Sequence, residues 1–256
     1  MNRKNRLGEE YYNKNGFHMV ITKYNSANDI EVTFDNGYVV KTNYKMIKNG
    51  WVKNRSAATV LNHGVIGKCK VSYKNKATKE YRAWQGMLVR CFSENYKTKK
   101  PTYKDVSCCK EWLNFETFLT WVKSQENYSY FQNNKSIWQL DKDILIKGNK
   151  VYSPETCSIV PLRVNTLFVK SDSLRGIYPI GVTYEKRWNT FTSRCCGVDG
   201  KRIKHSGFHN PTDAFLQYKT DKENVIKQVA TEEYEKKSIS KKCYESMMNY
   251  QVEITD

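Results

Sequence analysis

The sequence predicts an α+β protein: a small N-terminal β module, a central helical brace carrying a strand–loop–strand–helix run, and a C-terminal three-stranded antiparallel sheet with a helix. Three observations predict it. Residues 17–52 alternate apolar and polar positions around a turn signal, residues 79–123 switch to helical spacing, and short strands return from residue 177 before a proline-initiated helix.

In the first unit (1–55), FHMVITKY and DIEVTF read as strands, and YVVKT follows the turn residues Asp35, Asn36 and Gly37. A small twisted sheet or SH3-like barrel is expected. Residues 56–78 are polar and basic with isolated glycines, and read as a linker with room for one short strand. The next unit (79–172) opens with KEYRAWQGMLVRCFS, which places Ala83, Trp84, Met87, Leu88 and Cys91 on one helical face. A second helix over 110–123 repeats the pattern with Trp112, Phe115, Phe118, Leu119 and Val122. Between them YKTKKPTYKD (96–105) reads either as a tyrosine-bearing basic loop along phosphates or as a plain solvated loop.

The last unit (173–256) holds strands near 178–184, 188–196 and 201–206, with a turn at Asp199 and Gly200. A helix starts at Pro211, because proline suits the first helical position and Asn210 supplies a capping oxygen. Its apolar face is Ala214, Phe215, Tyr218, Val225, Ile226 and Val229. A final helix over 240–249 presents Tyr244, Met247, Met248 and Tyr250, which either pack against it or form a dimer contact; apolar helix faces usually mark core, so a monomer is favoured.

Charge bounds the partners. The chain has 43 Lys+Arg against 26 Asp+Glu, a net charge of +17 spread along its length, and such a surface seeks polyanions. No apolar run approaches the roughly 20 residues of a spanning helix, and the first residues lack the apolar stretch of a secretory signal. The expectation is an intracellular protein that does not enter membranes. Its eight cysteines are scattered, form no C-x-x-C, and lack zinc-finger spacing to the histidines, so reduced thiols and no structural zinc are expected.

The candidate site lies in WQLDKDILIKGNKVYSPETCSIVPLRVN (138–165). Asp141 and Asp143 end a strand begun at Ile137 and Trp138, KGNKVYSPET forms a loop, residues 157–160 make a second strand, and Pro161 starts a helix carrying Asn165. Asp and Asn are also ordinary turn and cap formers, so the pattern by itself fits a purely structural role. The run LDKDIL…GNKVYSPETC…VP…VN, preceded by RCF…PTY…CKEWLNFETFLTW, resembles phage HNH-type homing endonucleases over residues 80–170. LDKD itself resembles the LDHD of endonuclease VII-like HNH sites. The resemblance implies a ββα-metal unit in which Asp141 and Asn165 hold one Mg²⁺ or Mn²⁺ ion. Lys142 stands where the family has its general-base histidine and Ile144 where a further histidine is common, so Asp141, Lys142 and Asn165 are the catalytic candidates. A lysine serves as a base only when burial or nearby positive charge lowers its pKa by several units.

The stretch RGIYPIGVTYEKRWNTFTSRCCGVDGKRIKHSGFHNPTDAFLQY (175–218) resembles the Apetala/ethylene-response-factor DNA-binding domain, which implies a sheet lying in the major groove. His205, Ser206, Gly207 and Phe208 replace that family's usual WLGTF. Strand alternation assigns Phe191, Ser193 and Cys195 to the helix side and Trp188, Thr190, Thr192 and Arg194 to the exposed side. Lys186, Arg187, Lys201, Arg202 and Lys204 rim that face, where such groups meet phosphates and base edges. The expected partner is double-stranded DNA and the expected activity metal-dependent phosphodiester cleavage, in host cytoplasm if the chain is phage-encoded. A catalytically inactive DNA-binding regulator and an inhibitor of a host nucleic-acid-binding protein remain the alternatives.

Overall fold

The computed structural model describes residues 5–133, 137–169 and 176–256; Arg175, which opens the second resembling run, lies outside them. Contacts divide the chain into two units, 1–120 and 121–256, and it is a mixed α+β protein with several small antiparallel sheets. Among the described residues no helix is long and apolar enough to cross a membrane.

The first unit begins with strands β1 (Glu10–Tyr12), β2 (His18–Ser26), β3 (Asp29–Phe34) and β4 (Val39–Thr42), paired in sequence order. Period-two burial in β2 and β3 buries Met19, Ile21, Ile30, Val32 and Phe34, and Ile47 of the short helix α1 (Tyr44–Lys48) completes this core with Val52. The sheet is an open meander, with β1 and β4 as its edges, rather than the barrel that was the other expectation.

Residues 56–78 are structured, where a linker was expected. They form two hairpins, β5 (Ala58–Val60) with β6 (Gly64–Val65), and β7 (Ser72–Tyr73) with β8 (Lys76–Ala77). Positive φ at Lys74 and Asn75, 45° and 61°, gives the second hairpin the two-residue turn that matches strand twist. Gly64 is required: a Cβ there would lie 2.5 Å from Leu88 and 2.7 Å from Trp84.

Helix α2 (Lys79–Phe92) is capped by Thr78 and buries Trp84, Met87, Leu88 and Cys91, as its periodicity predicts. The Trp84 indole donates to the Trp112 carbonyl at 2.7 Å. Residues 96–105 are not an open loop: α3 (Glu94–Lys99) is capped by Ser93, and Tyr96 meets Tyr103 edge to face. After β9 (Ser107–Cys108), the helix expected over 110–123 divides at Asn114. A 3-10 turn precedes it, and the Asn114 side chain accepts from the Glu116 amide to start α4 (Phe115–Ser124).

The second unit contains α5 (Tyr128–Asn133), β10 (Trp138–Asp141), β11 (Val151–Tyr152), β12 (Ser158–Pro161) and α6 (Leu162–Leu167). These are followed by β13 (Val182–Glu185), β14 (Thr190–Cys196), β15 (Arg202–Phe208), α7 (Pro211–Glu235) and α8 (Lys241–Met248). One core runs through it, joining Ile144, Val160 and Val164 to Cys195, Phe215, Ile226, Cys243 and Met247. The buried Asn127 amide donates at 2.8 Å to both Ile159 and Ser238 carbonyls, so a polar group inside this core is fully used. Asn210 caps α7 through the Asp213 amide at 2.8 Å, and the whole predicted apolar face of α7 is buried.

Candidate functional sites

Asp141 ends β10 opposite Ser158 of β12, and α6 follows β12 without a loop, so Asn165 lies one turn into the helix that leaves the paired strand. Asp141 Oδ1 accepts from the amides of Asp143 and Ile144, both at 2.7 Å, closing a turn at the strand end. Its Oδ2 and the Asn165 carboxamide make no hydrogen bond among the described residues. Burial pushes the Asp141 carboxyl above the usual carboxylate range, and the two amides offset part of that rise.

Lys142 is turned into the loop that follows β10. It is 6% exposed, and its ammonium donates to Asp143 Oδ1 at 2.6 Å, Asp143 Oδ2 at 2.7 Å and the Asn149 carbonyl at 2.8 Å. Asn149 answers by donating to the carbonyls of Lys142 and Val151. These contacts fasten the loop between β10 and β11. Ile144, at the other position where the family often has histidine, is part of the core. Burial pushes the nearby Cys157 and Cys243 thiols up to about 12, so both are neutral near pH 7 and poor metal ligands. His63 stacks on Phe92 in the first unit, with ring centroids 3.9 Å apart. No group of three or more His, Cys, Asp or Glu among the described residues is arranged to hold a metal ion.

The C-terminal sheet has the order β13–β14–β15 and carries α7 on one face. Val182, Cys195 and Ile203 point towards the helix, and His205 reaches Asp221 of α7 at 3.2 Å. Gly181 allows the close approach of sheet and helix: its φ is +75°, and a Cβ would lie 2.1 Å from the Tyr218 ring.

The opposite face carries Thr183, Glu185, Thr190, Thr192, Arg194, Arg202, Lys204 and Ser206, matched row by row. Arg202 and Lys204 are exposed on the edge strand β15. Lys186, Arg187 and Trp188 sit in the β13–β14 turn rather than in a strand, because Asn189 takes a left-handed φ of 52°. Trp188 is 67% exposed, with the Arg187 guanidinium 4.8 Å from its ring centroid. Lys201 stands in the next turn beside Asp199, 3.4 Å away.

Two residues expected on the exposed face are not available there. Thr192 is 0% exposed and contacts the Ser206 hydroxyl, while Arg194 is paired with Glu185. Lys186, Arg187, Arg202 and Lys204 form no ion pair among the described residues. Comparison with protein-family models, with curated proteins and with solved structures finds no match.

Proposed function

We propose that the protein binds duplex DNA through the open face of β13–β14–β15. One observation carries this reading: four cations form no ion pair among the described residues, Arg202 and Lys204 on the face of the sheet away from α7 and Lys186 and Arg187 in the β13–β14 turn beside the exposed Trp188 indole. Cations on phosphates supply affinity that does not depend on sequence, and Thr183, Thr190 and Ser206 add hydroxyls that hydrogen-bond base edges or phosphates. The test is fluorescence anisotropy of a labelled duplex with wild type and with a variant carrying glutamine at all four cationic positions. The variant should bind at least ~100-fold more weakly at low salt; equal binding overturns the reading.

Metal-dependent cleavage is the second reading, favoured by Asp141 Oδ2 and the Asn165 carboxamide, which accept or donate no hydrogen bond among the described residues and stand on adjoining elements. These are oxygen donors of the kind a hard divalent cation takes, and the resemblance to HNH-type endonucleases assigns them to one Mg²⁺ or Mn²⁺. When bound, the ion polarises the scissile phosphate and stabilises the leaving oxygen. Asp141, whose other oxygen closes the turn, and Asn165 of α6 would hold the ion, and Lys142 fastens the loop between β10 and β11. Supercoiled plasmid incubated with Mg²⁺ or Mn²⁺ should be nicked by wild type and not by Asp141→Ala; equal rates would reject cleavage and leave the duplex-binding reading standing.

A further inference from the structure

The first unit contains a cavity of about 580 Å³ that plays no part in the sites above. It lies between the end of the N-terminal sheet, the β5–β6 hairpin and the start of α2, and its volume falls in the range of small-molecule pockets. Its lining includes the aromatic and aliphatic side chains Trp51, Tyr81 and Val71 and the cationic Lys14, Lys53 and Arg55, of which Arg55 also donates to the Cys69 carbonyl at 3.2 Å. No acidic residue lines it, and none of the three cations forms an ion pair among the described residues.

The walls are held in place. Tyr81 is braced by Trp84 and Phe115, with ring centroids 5.7 Å and 5.5 Å away. The Lys14 amide donates to the Gly50 carbonyl at 2.9 Å, and the Asn13 side chain donates to the Val52 carbonyl at 3.0 Å. Gly50 has φ +64°, and a Cβ there would lie 3.1 Å from the Lys14 nitrogen, so this crossing needs glycine. Trp51, 45% exposed, keeps part of its ring open, with the Lys14 ammonium 5.7 Å from its centroid.

We propose that this cavity binds a nucleotide, with an unstacked base against Trp51 and its phosphate among Lys14, Lys53 and Arg55. A flat ring joined to an anion matches an exposed indole beside cations that form no ion pair among the described residues, and base–aromatic stacking tolerates any base. A free mononucleotide and one residue of a single strand share this chemistry. The site is independent of the duplex-binding face.

The four-glutamine sheet variant of the full chain removes the contribution of that face. Anisotropy of fluorescein-labelled decathymidylate is measured with this variant, then after adding Trp51→Ala, Trp51→Phe, or Lys14→Gln with Lys53→Gln, each checked by circular dichroism. Trp51→Ala should weaken binding about tenfold or more, while Trp51→Phe should retain it within about threefold. The double glutamine change should also weaken it about tenfold. Displacement by 5′-AMP identifies a free nucleotide as a ligand, whereas binding that 5′-AMP does not displace identifies a strand. The proposal is overturned if decathymidylate and 5′-AMP both fail to bind, if Trp51→Ala binds like its parent, or if inorganic phosphate competes as well as 5′-AMP.

Discussion

Arg194 of β14 is ion-paired with Glu185 of β13 across the open face of the C-terminal sheet. Arg194 lies in the row of Gly181, whereas Glu185 pairs with Thr190, so the guanidinium crosses the Thr183–Thr192 row to reach it. Thr192, in the row between them, is fully buried. The ion pair also withdraws a cation from the surface proposed to meet DNA. Glu185→Ala should therefore free Arg194, remove a negative charge from the face, and strengthen duplex binding by about three- to tenfold at low salt. Gel-shift titration checks this, and unchanged or weaker binding would show that the pair does not restrain the face.

Gly181 and Tyr218 make a packing contact that no other residue pair can reproduce. A side chain at 181 meets both a left-handed backbone and the Tyr218 ring. Gly181→Ala should cost about 2–3 kcal/mol, read as a lower denaturant midpoint in urea melts. Gly200→Ala provides the comparison, since its Cβ would meet nothing within 4 Å and only its φ of +79° is strained. Its cost should be smaller.

Glu233 ties α7 to α6. The buried carboxylate accepts from Arg163 at 2.9 Å, Lys236 at 2.9 Å and Ser238 at 2.7 Å. Burial raises its pKa, and these three partners together outweigh burial and hold it below the usual carboxylate range. Because the folded value is depressed, the stabilisation is full above the unfolded pKa near 4.5 and is lost as pH falls through the folded value. Glu233→Gln should cost about 2 kcal/mol at pH 7. The gap from wild type should close under acid conditions in melts across pH 3–7.

Asp141 titrates in the opposite sense. Its folded pKa is raised, so its contribution to stability falls as pH climbs from 3.8 through the folded value, leaving a penalty at neutral pH. In EDTA at pH 7, Asp141→Asn should melt no lower than wild type, and up to a few degrees higher. Mg²⁺ at millimolar concentration should raise the wild-type melting temperature and leave the variant unchanged, because only an ion bound to the folded state stabilises it. A rise in both, or in neither, would count against Asp141 as a ligand.

The elements that sequence reveals best are those where local and tertiary demands agree. Pro211, Asn210 and the spacing of Ala214 to Val229 define α7, and the burial of that stripe follows from its period. The hairpins within 56–78 escaped because strands of two or three residues are too short for alternation to register, and their turns use Leu61, Asn62, Lys74 and Asn75 instead of glycine. At the Asp141 site the chemical types are visible in LDKD, but the commitment of Lys142 to Asn149 is not, since it depends on how the loop folds back. The exposed face of β14 was read by parity alone. Parity assigns Thr192 and Arg194 correctly to that face, yet a diagonal ion pair decides what covers it.

Duplex binding by the C-terminal sheet depends on phosphate contact, and salt dependence reads that contact. Binding of a 20-base-pair duplex is followed by anisotropy from about 50 to 200 mM salt, for wild type and for the four-glutamine variant at 186, 187, 202 and 204. Log K should fall with log salt at a slope about three to four units steeper for wild type than for the variant, close to 0.9 per cation engaged. Equal slopes, with equal affinities, would contradict it.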